Sequence, residues 1–313
     1  VTKKVIIAAP VHQSLKDGLA WLGYDCAVHL DITQATAPKV IADCTGIITS
    51  TRLMLDEQLL AAAPGLKWIG RMGSGMEVID VAAATEKGIA CYSSPEGNCN
   101  AVGEHAMGML LSLIRRIRPA QNQMQRNIWL RDENRGIELE GKTAAIIGFG
   151  HTGRSLAKKL AAFDVRILAF DKYDKADYPP YVERCDSLQF IYDNADIVSF
   201  HVPLQEDTVH YFNDRFLDAL RKQIILINTS RGPVVSLKSV YSGLQSGKIT
   251  GLCLDVFETE PVTKLTGTLK QHMEEMVQME NVVVTPHIAG YTYEALYKMG
   301  NVLLNKITKA HHP

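Results

Sequence analysis

The chain has 313 residues, enough for about two domains with substantial cores. Its 46% hydrophobic and 21% charged content is that of a globular protein, and no apolar run reaches the roughly 18 residues of a membrane helix. A net charge of −1 without basic runs argues against nucleic acid or an anionic membrane as partner; six cysteines without a C-x-x-C pair or metal-ligand spacing predict reduced thiols, no metal and a cytoplasmic location.

From Lys3 the pattern alternates short apolar strands with helical stretches: KKVIIAA, a helix through Leu22, YDCAVH, a helix near Val40, then GIITS. Helical DEQLLAAA leads to the strand LKWIG and a glycine-containing turn, Arg71-Met72-Gly73-Ser74-Gly75, before a helix near Val81. A turn leaving a strand of a parallel α/β sheet is where ligands bind. After IACYS, Ser94-Pro95-Glu96-Gly97-Asn98 reads as a domain boundary. A helix predicted over Cys99 to Ile117 carries Ala101, Val102, Gly103, Ala106, Met107, Leu110, Leu111 and Ile114, an apolar face wide enough for a subunit interface or for burial between domains.

The stretch Thr143 to Asp171, TAAIIGFGHTGRSLAKKLAAFDVRILAFD, reads as strand, helix and strand with Gly148, Gly150 and Gly153 at the first bend. Gly148 suits a tight turn, Gly150 close backbone approach to a pyrophosphate, and Gly153 close helix-to-strand packing. Free N–H groups at the helix start, at His151 and Thr152, suit phosphates, and Asp171 is placed to accept hydrogen bonds from ribose hydroxyls. An acid there also repels a 2′-phosphate, which favours NAD over NADP despite the neighbouring Lys172 and Lys175.

Further on, SLQFIYDNA, DIVSF, NDRFLDAL, QIILINTS, SVYSGLQSG and GLCLDVF alternate helix and strand, and these strands are nearly all apolar, as in a parallel sheet covered on both faces. Pro261 to Glu280 is helical in character, NVVVTPH restores a strand, and a last helix from Tyr291 to about Lys309 is expected to return to the first domain. Three strand ends carry residues of catalytic type: Asn228-Thr-Ser-Arg231-Gly-Pro, Asp255-Val-Phe-Glu-Thr-Glu260-Pro and Thr285-Pro-His287-Ile-Ala-Gly290.

Six segments in order, NAVGEHAMGMLL, GKTAAIIGFGHTG, HVPL, INTSRG, LDVFETEP and TPHIAG, resemble the D-isomer-specific 2-hydroxyacid dehydrogenase family over about Thr49 to Gly290. The resemblance implies two doubly wound parallel-sheet α/β domains with the active site in the cleft. These are a flavodoxin-like substrate domain over 1–98, completed by 291–313, and a Rossmann-type NAD domain over 99–290. It also implies a homodimer through the helix near Cys99, and a hydride exchanged between NAD(H) and a D-2-hydroxy acid or its 2-oxo acid.

The family's catalytic arginine, glutamate and histidine fall on Arg231, Glu260 and His287. Arg231 would hold the carboxylate and carbonyl oxygen and stabilise the growing negative charge. His287 would exchange the proton, with Glu260 on its second nitrogen. Asp255 matches the position that contacts the nicotinamide amide, Thr229 and Ser230 line the nicotinamide side, and His201, Val202 and Pro203 border the adenosine; Val102, Thr208 and Gly290 complete the cofactor set. Ser74 and Gly75 match the loop that binds the substrate carboxylate, although Glu77 and Val78 stand where relatives have aspartate and asparagine, and the segment 265–280 is longer and more helical than usual.

Arg52 and Arg71 resemble the phosphate-holding arginines of 3-phosphoglycerate dehydrogenases, here in a short form without a regulatory domain, which points to 3-phosphoglycerate and 3-phosphohydroxypyruvate. If those arginines instead pair with Asp56 or Glu77, hydroxypyruvate, glyoxylate or another unphosphorylated acid is expected. Two other readings carry less weight: an NAD(H)-sensing corepressor-like binding protein, for which no recruiting tail is seen, and formate dehydrogenase, which has glutamine at the position of Glu260.

Overall fold

The computed structural model describes residues 3–173 and 177–311, so Lys175 lies outside the described residues. The chain divides into two compact units, Val1–Cys99 with Gly290–Pro313, and Asn100–Ala289. In the first, strands β1 (Lys3–Ile7), β2 (Tyr24–Val28), β3 (Gly46–Thr49), β4 (Trp68–Arg71) and β5 (Ala90–Tyr92) alternate with helices α1 (Gln13–Trp21), α2 (Ala37–Ile41), α3 (Glu57–Ala61) and α4 (Val81–Glu86). All neighbours are parallel, in the order β2-β1-β3-β4-β5. One face of this sheet presents Ile6, Ala8, Ile47 and Ile69 to a core shared with Ile41, Leu59, Leu60 and Ala84 of α2, α3 and α4.

The second unit begins within α5 (Pro95–Ile114) and continues through α6 (Ile117–Met124), β6 (Thr143–Ile147), α7 (His151–Ala161), β7 (Arg166–Phe170), β8 (Val182–Arg184), α8 (Leu188–Asn194) and β9 (Ile197–Phe200). It is completed by α9 (Asp214–Ala219), β10 (Ile224–Asn228), α10 (Leu237–Gln245), β11 (Ile249–Leu254), α11 (Gly267–Met276) and β12 (Val282–Val284). The seven strands are all parallel, ordered β12-β11-β10-β9-β6-β7-β8. Because successive strand side chains point to opposite faces, Ala144 and Ile146 of β6 join a core with Met107, Leu110, Leu156 and Leu160 of α5 and α7. Ala145 and Ile147 join another with Ile191, Phe216, Val240 and Met276 of α8 to α11. Both faces are thus covered, and β6, β9 and β10 are buried along their whole length.

The last helix, α12 (Tyr293–His311), lies in the first unit against α1. A Cβ at Gly18 would overlap Leu304, and a Cβ at Gly300 would stand 3.3 Å from Leu15, so glycines set the close approach of the two helices. Among the described residues no helix is long and apolar enough to cross a membrane.

Four sequence expectations need correction. The helix expected from Cys99 starts four residues earlier, at Pro95, since a proline at the first helical position lacks only an N–H that would be unpaired there. The wide apolar face of α5 is not left open: Ala106, Met107, Leu110 and Ile114 are buried in the second unit's own core. Helix α6 and the edge strand β8 were not anticipated. The segment 261–280 splits into a 3-10 turn, Val262–Lys264, and α11. Helix α11 packs on α10 with the His272 ring stacked on Tyr241 at 3.9 Å, and the turn after α11 is held by Arg118, whose guanidinium donates to the carbonyls of Val277 and Met279.

Candidate active site

Strand order in the second unit reverses at β6, which pairs with β7 on one side and β9 on the other, and the carboxyl ends of β6 and β9 lie side by side with Ile147 opposite Phe200. The glycine turn leaves β6 at this point. Gly148 has φ +90°, and a Cβ there would stand 2.7 Å from the carbonyl of His201. A Cβ at Gly153 would overlap the Gly148 carbonyl, so glycine is required for α7 to start this close to β6. Gly150 is the N-cap of α7 in extended conformation, and no side chain caps it, so the first-turn N–H groups from His151 onward point out with the positive end of the helix dipole.

Asp171 comes directly after β7 and reaches back to the turn: Oδ2 accepts from Phe149 N at 2.7 Å and Oδ1 from Tyr173 N at 2.9 Å. After β9, the His201 ring is buried between the hydroxyls of Ser199 (2.8 Å to Nε2) and Thr152 (3.3 Å to Nδ1). Burial pushes its pKa down from 6.5 to about 4. Thr208 Oγ1 accepts from Gln205 N and donates to the Pro203 carbonyl, both at 2.7 Å, which fixes the loop that carries Val202 and Pro203. A dinucleotide fits these residues on two counts: an uncapped helix start beside a glycine turn suits a pyrophosphate, and the buried Thr229 Oγ1 has no hydrogen-bond partner among the described residues.

The catalytic-type residues stand at the carboxyl ends of neighbouring strands. Asn228 ends β10 and organises the loop that carries Arg231: its Oδ1 accepts from Ser230 N (3.0 Å) and Ser230 Oγ (2.7 Å), and its Nδ2 donates to the Arg231 carbonyl (2.9 Å). Gly232 then presses on the Phe257 carbonyl so closely that any Cβ would overlap it, which ties the Arg231 loop to the loop after β11. In that second loop Glu260 Oε1 accepts from Phe257 N (3.0 Å), and Glu260 Oε2 lies 2.6 Å from His287 Nδ1. Burial raises the Glu260 pKa, but the hydrogen bonds from His287 and Phe257 and the charges of His287 and Arg231 outweigh it and hold the carboxyl below its ordinary 4.5.

His287 has φ +55°, a conformation that costs a non-glycine residue and is imposed by its surroundings. Its N–H donates to the Asp255 carbonyl at 2.8 Å, while the Asp255 side chain, wholly buried, receives Ile288 N and Ala289 N at 2.8 Å each and the Thr285 hydroxyl at 2.6 Å. His105 on α5 joins from the other side, with Nε2 2.9 Å from Thr285 Oγ1. Both oxygens of Asp255 thus organise the turn that presents His287, a duty the resemblance did not suggest. His105, Asn228 and Glu258 were absent from the sequence-derived set. Glu258 accepts from Leu237 N at 2.5 Å and lies 2.9 Å from His210 Nε2. Only the spacing of the acid two positions before Glu260 could have drawn attention to it.

In the first unit Arg52 lies just past β3 and Arg71 ends β4, with Thr49 opposite Arg71 in register, so both arginines occur at the carboxyl ends of neighbouring strands of that sheet. Their settings differ. Arg52 is exposed and donates to the Leu30 carbonyl at 2.6 Å; Arg71 is 6% exposed, donates to the Met72 carbonyl and lies directly beneath Gly73. Asp56 caps α3 through Leu59 N. The Gly73–Gly75 loop is held by Ser94, whose hydroxyl accepts from Gly73 N and donates to the Arg71 carbonyl, both at 3.0 Å, and by Ser74 Oγ donating to Asn98 Oδ1 at 3.2 Å. Val102 is buried on α5, and Gly290 lies against Asn98.

Residues 107–289 match the model of the D-isomer specific 2-hydroxyacid dehydrogenase NAD binding domain. A hydroxypyruvate reductase of Thermotoga maritima is 35% identical over 272 residues, 87% of this chain and 86% of that protein. A D-3-phosphoglycerate dehydrogenase of Archaeoglobus fulgidus is 29% identical over 305 residues, 97% of this chain but 56% of that protein, so the chain spans little more than half of that relative's length. Among solved structures, D-lactate dehydrogenase from Aquifex aeolicus complexed with NAD and lactic acid superposes with a TM-score of 0.84 at 26% identity, covering 98% of this chain and 95% of that one. With two parallel-sheet units, a dinucleotide turn at the switch point and a 58%-of-length match to the family's NAD-binding domain, given by 183 of 313 residues, the chain belongs to the D-isomer-specific 2-hydroxyacid dehydrogenase family of NAD-dependent oxidoreductases.

Proposed function

We propose that the protein interconverts a short D-2-hydroxy acid and its 2-oxo acid, with Arg231, Glu260 and His287 as the catalytic set. The observation that carries this is the 2.6 Å contact of His287 Nδ1 with Glu260 Oε2, beside the charge of Arg231. An ionised carboxylate can only accept, so Nδ1 is the protonated nitrogen of His287 and Nε2 is left to exchange a proton. During reduction Nε2–H gives its proton to the substrate oxygen; during oxidation the bare Nε2 removes the hydroxyl proton. Arg231, a fixed cation with a planar donor fork, binds the carboxylate and stabilises negative charge on the reacting oxygen. NAD would be held by the α7 start, Asp171 and the Thr229 hydroxyl, and would supply the hydride chemistry.

The first substrate pair to test is 3-phosphoglycerate and 3-phosphohydroxypyruvate, on the strength of two arginines at the carboxyl ends of neighbouring strands of the first unit's sheet. A second reading, an unphosphorylated acid such as hydroxypyruvate or glyoxylate, is favoured by the burial of Arg71 at 6% exposure with its guanidinium turned onto the Met72 carbonyl. An NADH-oxidation panel of 3-phosphohydroxypyruvate, hydroxypyruvate, glyoxylate, pyruvate and a branched 2-oxo acid distinguishes them. A kcat/KM for the phosphorylated acid no higher than for hydroxypyruvate, unchanged in Arg52→Ala and Arg71→Ala, removes the phosphate reading. No turnover of any of them removes all of these acids as substrates.

For assembly we propose a homodimer. With the apolar face of α5 already covered, the exposed apolar surface of the second unit is concentrated in the stretch from α6 to β6: Ile117, Met124, Ile128, Trp129, Leu130 and Ile137.

A further inference from the structure

We propose that Asp207 is a specificity-determining residue that holds the protein to NAD: it ties down Lys172, the cation next to the ribose-binding acid, and adds a second negative charge where NADP would bring its 2′-phosphate. The inference rests on the dinucleotide site assigned above.

Asp171 is a fixed carboxylate, with both oxygens oriented by the main-chain N–H groups of Phe149 and Tyr173. The next side chain is a lysine. A free ammonium at that position is the feature that would recruit a 2′-phosphate and undo the discrimination of Asp171, because a point charge on a flexible stem suits a phosphate well. In this chain the ammonium is committed elsewhere, with Lys172 Nζ 2.6 Å from Asp207 Oδ2. The two groups shift each other as partners do, through their hydrogen bond: the lysine pKa is raised and the aspartate's lowered.

Asp207 is well placed for this because its backbone is anchored. It is the middle residue of the 3-10 turn Glu206–Thr208 beyond β9, and Thr208 closes that turn with a reciprocal capping box with Gln205 and a hydrogen bond to the Pro203 carbonyl. A second cation at the glycine turn is likewise engaged. The Arg154 guanidinium lies 4.7 Å from the centre of the Phe149 ring and donates to the Asp177 carbonyl at 2.5 Å, while Phe149 stacks on Tyr178. Lys172 and Arg154 are thus both turned onto protein partners among the described residues.

The Lys172 and Asp207 side chains are 64% and 48% exposed, so their pair adds little to folding and its substitution leaves the fold intact. Its effect is on which anion is tolerated nearby. The test uses the full chain and direct binding. Dissociation constants of NADH and NADPH are measured by nicotinamide fluorescence for wild type, Asp207→Asn, Asp207→Ala and the double variant Lys172→Ala/Asp207→Asn, with kcat/KM for both cofactors alongside. Removing the aspartate should tighten NADPH by about tenfold and change NADH less than about twofold, because only the former carries the added phosphate charge. The double variant should lose most of that gain, and the gain should shrink with rising salt. NADPH affinity unchanged in both single variants, or a gain retained without Lys172, overturns the proposal. Wild type that binds neither cofactor overturns the dinucleotide site itself, an outcome the NADH titration reveals separately.

Discussion

The Thr285 hydroxyl stands 2.6 Å from Asp255 Oδ1 and 2.9 Å from His105 Nε2. A hydroxyl has one proton, and the carboxylate can only accept it, so His105 Nε2 must be the donor to Thr285. Donation therefore runs from His105 on α5 through Thr285 to Asp255, which also accepts from the N–H groups of Ile288 and Ala289 just after His287. We therefore propose that His105 acts as a positioning residue for His287. His105→Leu should lower kcat by ~10-fold with a smaller change in KM, and His105→Gln, which keeps a donor, should restore most of it. Asp255→Asn should be worse, since the amide leaves at least one buried donor without an acceptor at a cost of about 1–3 kcal/mol. Equal kcat in His105→Leu and wild type would sink the assignment.

Removing the imidazole in His287→Ala should reduce kcat by ~10²-fold or more with NADH affinity retained. The companion change, Glu260→Gln, has a pH signature. The folded-state pKa of Glu260 is depressed, so its ionised form contributes stability above the unfolded-chain value of about 4.5 and loses it as pH falls through the lower folded value. The melting-temperature difference between wild type and Glu260→Gln should therefore be largest above about pH 4.5 and close up below it. Side-chain exposure of 34% keeps the effect small, and differential scanning calorimetry from pH 3 to 7 measures it.

A residue is legible in sequence when its surroundings permit no other type. Strands β6, β9 and β10 read clearly because both faces are buried and nearly every position is apolar, whereas β8, Val182-Glu183-Arg184, buries only its first residue and gives no period to detect. Gly148 and Gly153 were legible because backbone geometry tolerates nothing else there. Ser94 and Asn98, which hold the Gly73–Gly75 loop, were not: a hydroxyl bonded to Gly73 N looks, in sequence, like any surface serine. The wide apolar face of α5 shows a different limit. Periodicity reports that a face is buried but not by what, and here the cover is the same unit's β6 and α7.

Gly153→Ala tests the turn directly. Its Cβ would overlap the Gly148 carbonyl, a backbone atom that cannot swing aside, so the start of α7 must move off β6. NADH affinity should fall by ~10-fold or more with a stability loss of about 1–3 kcal/mol, read by fluorescence titration and chemical denaturation. Unchanged NADH binding would mean that the α7 start does not hold the cofactor.

The exposed stretch from Ile117 to Ile137 contains Trp129 at 78% exposure, an aromatic group of the kind that anchors interfaces. Sedimentation at micromolar concentration should give about twice 34.6 kDa, and Trp129→Asp should shift it toward that single-chain mass. A 34.6 kDa species for wild type refutes the dimer; a dimer unaffected by Trp129→Asp moves the interface elsewhere.

His201 gives the last prediction, with the opposite pH logic from a paired histidine. Its ring is buried at 8% exposure, its neighbours Ser199 and Thr152 are neutral hydroxyls, and Thr152 lies in the first turn of α7, whose dipole opposes a positive charge. The folded pKa of about 4 lies below the ordinary 6.5, so between those values the unfolded chain binds the extra proton and the folded one does not. Stability is therefore full above about pH 6.5 and declines as pH falls toward 4, by up to something on the order of 3 kcal/mol at 1.36 kcal/mol per pKa unit. His201→Gln removes the titrating group while keeping polar atoms for both hydroxyls. Urea denaturation of wild type and variant at several pH values between 4 and 7 should show the variant less sensitive to acid across this window, even if its stability at pH 7 is lower. Parallel acid sensitivities would mean that His201 is charged in the folded protein at mildly acidic pH, and with it that the β9 end carries a cation in place of a neutral ring.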